Sequence, residues 1–150
     1  VLKAVDEVNK GGIKYFHTNA ANTVTEPGLI VATNNDSSAA ATNSTAIGVN
    51  AIVKAGANNT VALGYRTNAE ATATNAVVIG SGSSVSGVSS VALGSKASAT
   101  ANSAVAIGQN AKVTNATTDT LIPQAGTAVG ASSQALGGNA TALGSDAKAQ

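Results

Sequence analysis

The chain has no cysteine, methionine or tryptophan, and only one phenylalanine, two tyrosines and one histidine. Without cysteine there is neither a disulfide framework nor a thiolate metal site. His17 has no second histidine to share a metal with, and beside Tyr15 and Phe16 its role is packing. Three aromatics provide no stacking platform, and eight Lys plus Arg against seven Asp plus Glu leave a net charge of only +1. Nucleic acid is therefore not expected as a partner. No apolar run approaches the ~20 residues needed to cross a bilayer, so this segment is not expected in a membrane. No leader peptide and no initiator Met are seen, and the chain reads as a segment of a longer protein.

The groups that carry out catalysis are equally sparse. Asp6, Glu7, Glu26, Asp36, Glu70, Asp119 and Asp146 are scattered, and the one adjacent pair, Asp6 and Glu7, lies on an expected helix where neighbours face apart. Gly80, Gly82 and Gly87 match neither a dinucleotide fingerprint nor a phosphate loop, and no serine sits in a nucleophile elbow. The chain is read as a non-enzyme with no catalytic residue, no cofactor and no metal.

What is abundant is alanine. The apolar fraction is 43%, but 32 of those residues are Ala, and burying Ala removes little area from water. Ordering each residue costs about 1–2 kcal/mol of backbone entropy, so such a thin core is expected to bury further surface against other chains.

The organising feature is a repeat. SSVALG at Ser89–Gly94 returns as NSTAIG at Asn43–Gly48, NTVALG at Asn59–Gly64 and NAVVIG at Asn75–Gly80, then as SAVAIG at Ser103–Gly108, AGTAVG at Ala125–Gly130 and NATALG at Asn139–Gly144. Successive motif glycines are 16, 16, 14, 14, 22 and 14 residues apart. A unit this short cannot bury its own apolar face and is stable only when stacked. Within each copy the residues on either side of the central Ala share one strand face while Ala takes the other. Both faces carry apolar residues, so both are expected to be buried. The closing Gly permits a sharp bend. A more polar second strand follows, as in AEATAT (69–74), ASATA (97–101) and AKVTN (111–115). The expected fold is all-β, a parallel β-roll of about 14-residue turns with an apolar inner sheet and a wetter outer one.

Three domains follow. Residues 1–12 are expected to form a short helix ending a coiled coil, with Val1, Val5 and Val8 on one stripe and Gly11 and Gly12 stopping it. Residues 13–42 form an elaborated first turn, and 43–150 the repeats. The 22-residue interval places an insertion in ATTDTLIPQ (116–124), whose Asp119, Leu121 and Ile122 are candidate ligand contacts, because solenoid insertions become loops on one face. Lys54, Arg66, Lys96, Lys112 and Lys148 lie at +6, +2, +2, +4 and +4 from the preceding motif glycine. They form no single row and read as solvated charges that guard sheet edges.

The repeated SVAIG-type motif, together with IKYFHTN at residues 13–19, resembles the YadA-like head domains of trimeric autotransporter adhesins. The resemblance implies a left-handed roll, a homotrimer, and display on the bacterial cell surface through an outer-membrane anchor in a C-terminal region absent from this segment. It also implies attachment to host cells or matrix molecules of the collagen, fibronectin or laminin class. Carried over to this chain, the motif nominates Asn43, Ser44, Ile47 and Gly48, and Asn102, Ser103, Ile107 and Gly108, as ligand contacts. A structural alternative makes these repeats a spacer that extends the fibre while another region binds. A hexapeptide-repeat acyltransferase is disfavoured, since 14 and 16 are not multiples of six, as is an ice-binding solenoid, which needs a regular Thr row.

Overall fold

The computed structural model describes residues 37–114 and 125–150. The expected helix at 1–12, the 13–19 motif, and Asp119, Leu121 and Ile122 lie outside the described residues.

Each repeat begins with a three-residue strand: Thr45–Ile47, Val61–Leu63, Val77–Ile79, Val91–Leu93, Val105–Ile107, Thr127–Val129 and Thr141–Leu143. These seven pair in parallel into one sheet, the motif sheet. Between them run two-residue strands, Ser38–Ala39, Ile52–Val53, Asn68–Ala69, Ser84–Val85, Ser98–Ala99, Lys112–Val113, Gln134–Ala135 and Lys148–Ala149, which pair into an eight-stranded parallel return sheet. The chain alternates between the sheets, and each strand bonds to its counterparts one turn away. The result is a parallel β-solenoid of about seven turns, rising ~4.8 Å per turn.

Register is set by like stacking on like. Val61, Ala62 and Leu63 pair with Val77, Val78 and Ile79, which pair in turn with Val91, Ala92 and Leu93. The central residue points inward: Ala62, Val78, Ala92, Ala106 and Ala128 are fully buried, facing an interior that Val53, Ala69, Val85, Ala99, Val113 and Ala135 supply from the return sheet. Among the described residues no fully buried side chain is larger than Val. Bulky residues therefore have to leave the interior. The expectation that both faces of the motif strands are buried is corrected here for the single chain. Val61, Leu63, Leu93 and Leu143 point outward and are 38, 40, 41 and 75% exposed. The polar second strands are also shorter than expected; in AEATAT only Ala69 belongs to a strand, which it forms with Asn68 before it.

The two corners of a turn differ. After every motif glycine the return strand starts at the fourth residue, as Gly64 to Asn68 and Gly94 to Ser98 show. This corner is a β-turn closed by bonds such as Ala97 N–H to Gly94 O (3.2 Å), with its third residue at positive φ, as in Lys96 (57°). The other corner absorbs all variation in length. The 16-residue turns widen it by two residues and fill it with buried Ala57 and Ala73, where the shorter turns have Gly87 and Ala101. The eight-residue excess falls there too. Val105 still pairs with Thr127 and Lys112 with Gln134 across it, so both ladders run on unbroken.

The motif glycine does more than allow a bend. Gly94 has φ 135°, and a Cβ on it would lie 2.5 Å from the Gly108 carbonyl oxygen of the next turn. Its N–H continues the ladder by donating to Ile79 O at 2.8 Å. In contrast, the buried hydroxyls of Ser83 and Ser133 merely close their own corner, donating to Gly80 O at 2.8 Å and Gly130 O at 2.9 Å. Alanine takes the same place at Ala97 and Ala111. Gly94→Ala is therefore expected to lose about 2–4 kcal/mol of stability from combined φ strain and backbone overlap. Ser83→Ala is expected to lose less than about 1 kcal/mol. Thermal or denaturant unfolding of the two variants measures the contrast.

Candidate functional site

A solenoid presents surfaces built from columns, each made of one position repeated every turn, and the nominated residues are best placed by column. Asn43 starts a column with Asn59, Asn75, Ser89, Ser103 and Asn139, all with φ between 53° and 59°. Asn tolerates this left-handed region better than most residues, which explains why the motif opens on it. The first three amides form a ladder, Asn43 Nδ2 donating to Asn59 Oδ1 (3.2 Å) and Asn59 Nδ2 to Asn75 Oδ1 (3.0 Å). Ser103 belongs to this column, while Asn102 stands one position earlier, beside Asn58 and Val88. Sequence reasoning aligned Asn102 with Asn43; register places it with Thr42. Asn58 and Asn102 act alike: their Oδ1 atoms accept from Thr42 N–H (3.1 Å) and Val88 N–H (2.9 Å), capping backbone of the preceding turn.

The other nominated residues are also tied into the scaffold. Ser44 Oγ donates to Ala41 O at 2.7 Å. Gly48 and Gly108, at φ 125° and 128°, pack on the next turn's glycine. Ile47 and Ile107 are half-buried on the outward side of the motif sheet. Of the eight, Asn43, Asn102 and Ser103 are the exposed ones.

Two surfaces were missed by sequence reasoning. The first is the outward side of the motif sheet. One column reads Thr45, Val61, Val77, Val91, Val105, Thr127, Thr141, and the other Ile47, Leu63, Ile79, Leu93, Ile107, Val129, Leu143. No charged residue interrupts either. The signal was present in the repeats: the central place stays small in every copy while its neighbours range from Thr to Leu, as an interior too narrow for Leu requires.

The second is the outward side of the return sheet and the corner leading into it. The seven charged residues among those described all lie here. Lys54 Nζ donates to both Glu70 oxygens (2.8 and 2.7 Å), and Asn68 Nδ2 donates to Glu70 Oε1 at 2.6 Å. These bonds, the lysine's first, hold the Glu70 carboxyl below its ordinary range against a smaller opposing effect of burial. Arg66 lies over the Tyr65 ring, 5.1 Å from its centroid. Among the described residues no group of His, Cys, Asp and Glu is arranged to hold a metal, and no helix is long and apolar enough to cross a membrane.

Comparison with known proteins agrees with this column architecture. The family model for the YadA head domain repeat (2 copies) matches residues 35–51, 39–67, 55–83, 86–111 and 124–147, about two thirds of the chain. The trimeric autotransporter adhesin AtaA of Acinetobacter sp. (strain Tol 5) is 55% identical over 51 residues, 34% of this chain. The match spans 1% of that relative's length.

Glu70 supplies a pH dependence. A carboxyl whose pKa is lowered by folding contributes stability above its unfolded pKa and loses it as pH falls through the folded value. Acidification below the ordinary carboxylate range is therefore expected to destabilise the parent more than Glu70→Gln. Because both partners are more than 40% exposed, the difference is expected to stay below about 1 kcal/mol and to shrink in high salt. Unfolding midpoints across acidic pH, at low and high salt, check it.

Proposed function

The chain belongs to the YadA head domain repeat family, and from that membership we propose that it is part of the head of a homotrimeric, non-enzymatic adhesin on a bacterial surface. The supporting observation is the uncharged aliphatic side of the motif sheet. A continuous apolar strip of this kind on one chain marks an interface, and identical chains satisfy it with closed rotational symmetry. Placing three motif sheets around one axis gives each turn a layer of three Val or Thr and three Ile, Leu or Val side chains. The charged return sheet stays outside. The left-handed winding, the N-terminal helix and a C-terminal outer-membrane anchor belong to the same proposal.

Host molecules of the collagen, fibronectin or laminin class are the proposed ligands, with Asn43, Asn102 and Ser103 as the nominated residues still exposed in the single chain. In this trimer Ile47 and Ile107 are covered. The spacer reading is favoured at the motif itself by one observation: the Asn43 and Asn102 side chains are already engaged in turn-to-turn hydrogen bonds. Three copies of a weak contact would act through avidity.

Light scattering is expected to give about three times 14.3 kDa for the parent chain. Leu93→Asp would set three carboxylates against one another and is expected to yield monomers and at least about a tenfold loss of binding to immobilised matrix proteins. Ser98→Asp on the return sheet is expected to leave the mass unchanged. A monomeric parent sinks the trimer, and a trimeric parent that binds no matrix protein leaves the spacer reading.

A further inference from the structure

The charges of the described residues form a strip that net charge conceals. Counted over residues 37–114 and 125–150, five cations stand against two anions, a net of +3, whereas the whole chain carries +1. All seven stand two, four or six positions after a motif glycine. The fourth and sixth positions flank the inward-pointing residue of the return strand, so their side chains face outward; the second, exposed at Arg66 and Lys96, lies in the glycine corner two positions before that strand begins. Positions that look like three separate rows in the sequence thus share one flank. Lys54 is neutralised by Glu70, and Asp146 is at the last turn beside Ser145. Arg66, Lys96, Lys112 and Lys148 are exposed and have no ion-pair partner among the described residues.

We propose that this flank is a binding track for a linear polyanionic polysaccharide, which rests on the adhesin reading and gives it a ligand class. The four cations climb five turns, about 24 Å at ~4.8 Å per turn. Successive ones are one or two turns apart, within about a Debye length of each other, so they act on an approaching polymer as one strip. The strip follows the solenoid axis and suits a chain laid along it.

The ground between the cations is suited to sugar. Ser84, Ser98, Lys112, Gln134 and Lys148 follow one another in register along the return sheet, so two hydroxyls lead to a pair of ammonium groups with an amide between them. Between Arg66 and Lys96 stands Gly82, the one glycine in a column otherwise filled by Asn50, Arg66, Lys96, Asn110, Ser132 and Asp146. A Cβ on Gly82 would lie 3.6 Å from Lys96 Cγ. The Lys96 stem therefore runs alongside the Gly82 turn, and the missing side chain leaves an opening between two cations. Tyr65, 48% exposed, stands beside Arg66, whose guanidinium lies over its ring. One aromatic suffices to pack on a sugar ring but does not make the series of platforms on which single-stranded nucleic acid stacks, so the polysaccharide is favoured.

The full chain is titrated with heparin, with hyaluronan, which carries carboxylates but no sulfate, and with single-stranded DNA of about 20 nucleotides, over a range of salt. Binding to a polysaccharide is expected, with log affinity falling linearly in log salt by about one unit of slope per cation engaged. Heparin alone as ligand assigns sulfate; binding of both assigns any polyanionic polysaccharide. Replacing Arg66→Gln and Lys96→Gln together is expected to remove about two units of slope and at least about tenfold in affinity. Gly82→Asp adds a carboxylate between the same cations without removing either and is expected to weaken binding by about tenfold. Gly82→Asn is expected to bind as the parent does. Both replacements keep a positive φ already held by Asn50 (56°), Asn110 (56°) and Asp146 (57°).

The proposal is overturned if the parent binds neither polysaccharide at physiological salt, if DNA binds more tightly than both, or if Gly82→Asp behaves like Gly82→Asn. Light scattering on the same samples separates this outcome from the fate of the trimer. A monomer that binds heparin sinks the trimer alone, and a trimer that binds neither polysaccharide sinks the track alone.

Discussion

The structure depends on one constraint: each residue of the strands and glycine corners stacks on its own counterpart one turn away. Parallel pairing at ~4.8 Å per turn forces each column to be compatible with itself. A column of glycines at φ near 130° works because each leaves space for the next carbonyl. A column of small residues works inside because the interior takes nothing larger than Val. Backbone bonding continues through the corners, where Gly82 N–H donates to Tyr65 O and Lys96 N–H to Ser81 O, each at 2.8 Å. Order is carried by this ladder more than by apolar burial, since a core of Ala and Val offers little of the latter.

The same constraint decides where function can lie. Side chains inside are fixed by packing, and the amides of Asn43, Asn59 and Asn75 by turn-to-turn bonds. What is left is two outward faces of opposite character. The motif sheet offers Val, Thr, Ile and Leu side chains without charge, and the return sheet with its glycine corner carries the ionic groups among the described residues. The division needs no special design. Once Ala or Val takes the inward place of a strand, alternation sends both of its neighbours outward, and the two sheets are free to diverge in composition.

The architecture was legible in the sequence because stacking leaves a period. The copies from NSTAIG to NATALG gave the turns, the bend at glycine and the place of the insertion. Direction within the strand was less legible. Val61 and Leu63 are hydrophobic, and hydrophobicity alone sends them inward; only the width of the interior, a property of the folded roll, turns them out. The role of Asn43 was hidden for a different reason, since a positive φ is a demand of the backbone that composition does not announce. Arg66, Lys96 and Lys112 appeared unrelated at +2 and +4, because linear spacing does not reveal that a corner residue and a strand residue look out from the same flank. The one-residue misplacement of Asn102 against Asn43 had a similar origin: a shared letter was read as a shared position, and register separates them.

The unequal corners of each turn bear on how such a chain diversifies. The glycine corner has one length in every turn, while the opposite corner takes two or eight extra residues without disturbing either ladder. Growth by duplication has to proceed in whole turns, but decoration is allowed at any level through this single port. In a threefold assembly, one insertion in the gene would appear as a ring of three identical protrusions at one height. New surface chemistry would then arrive already multivalent, while the scaffold beneath keeps its register.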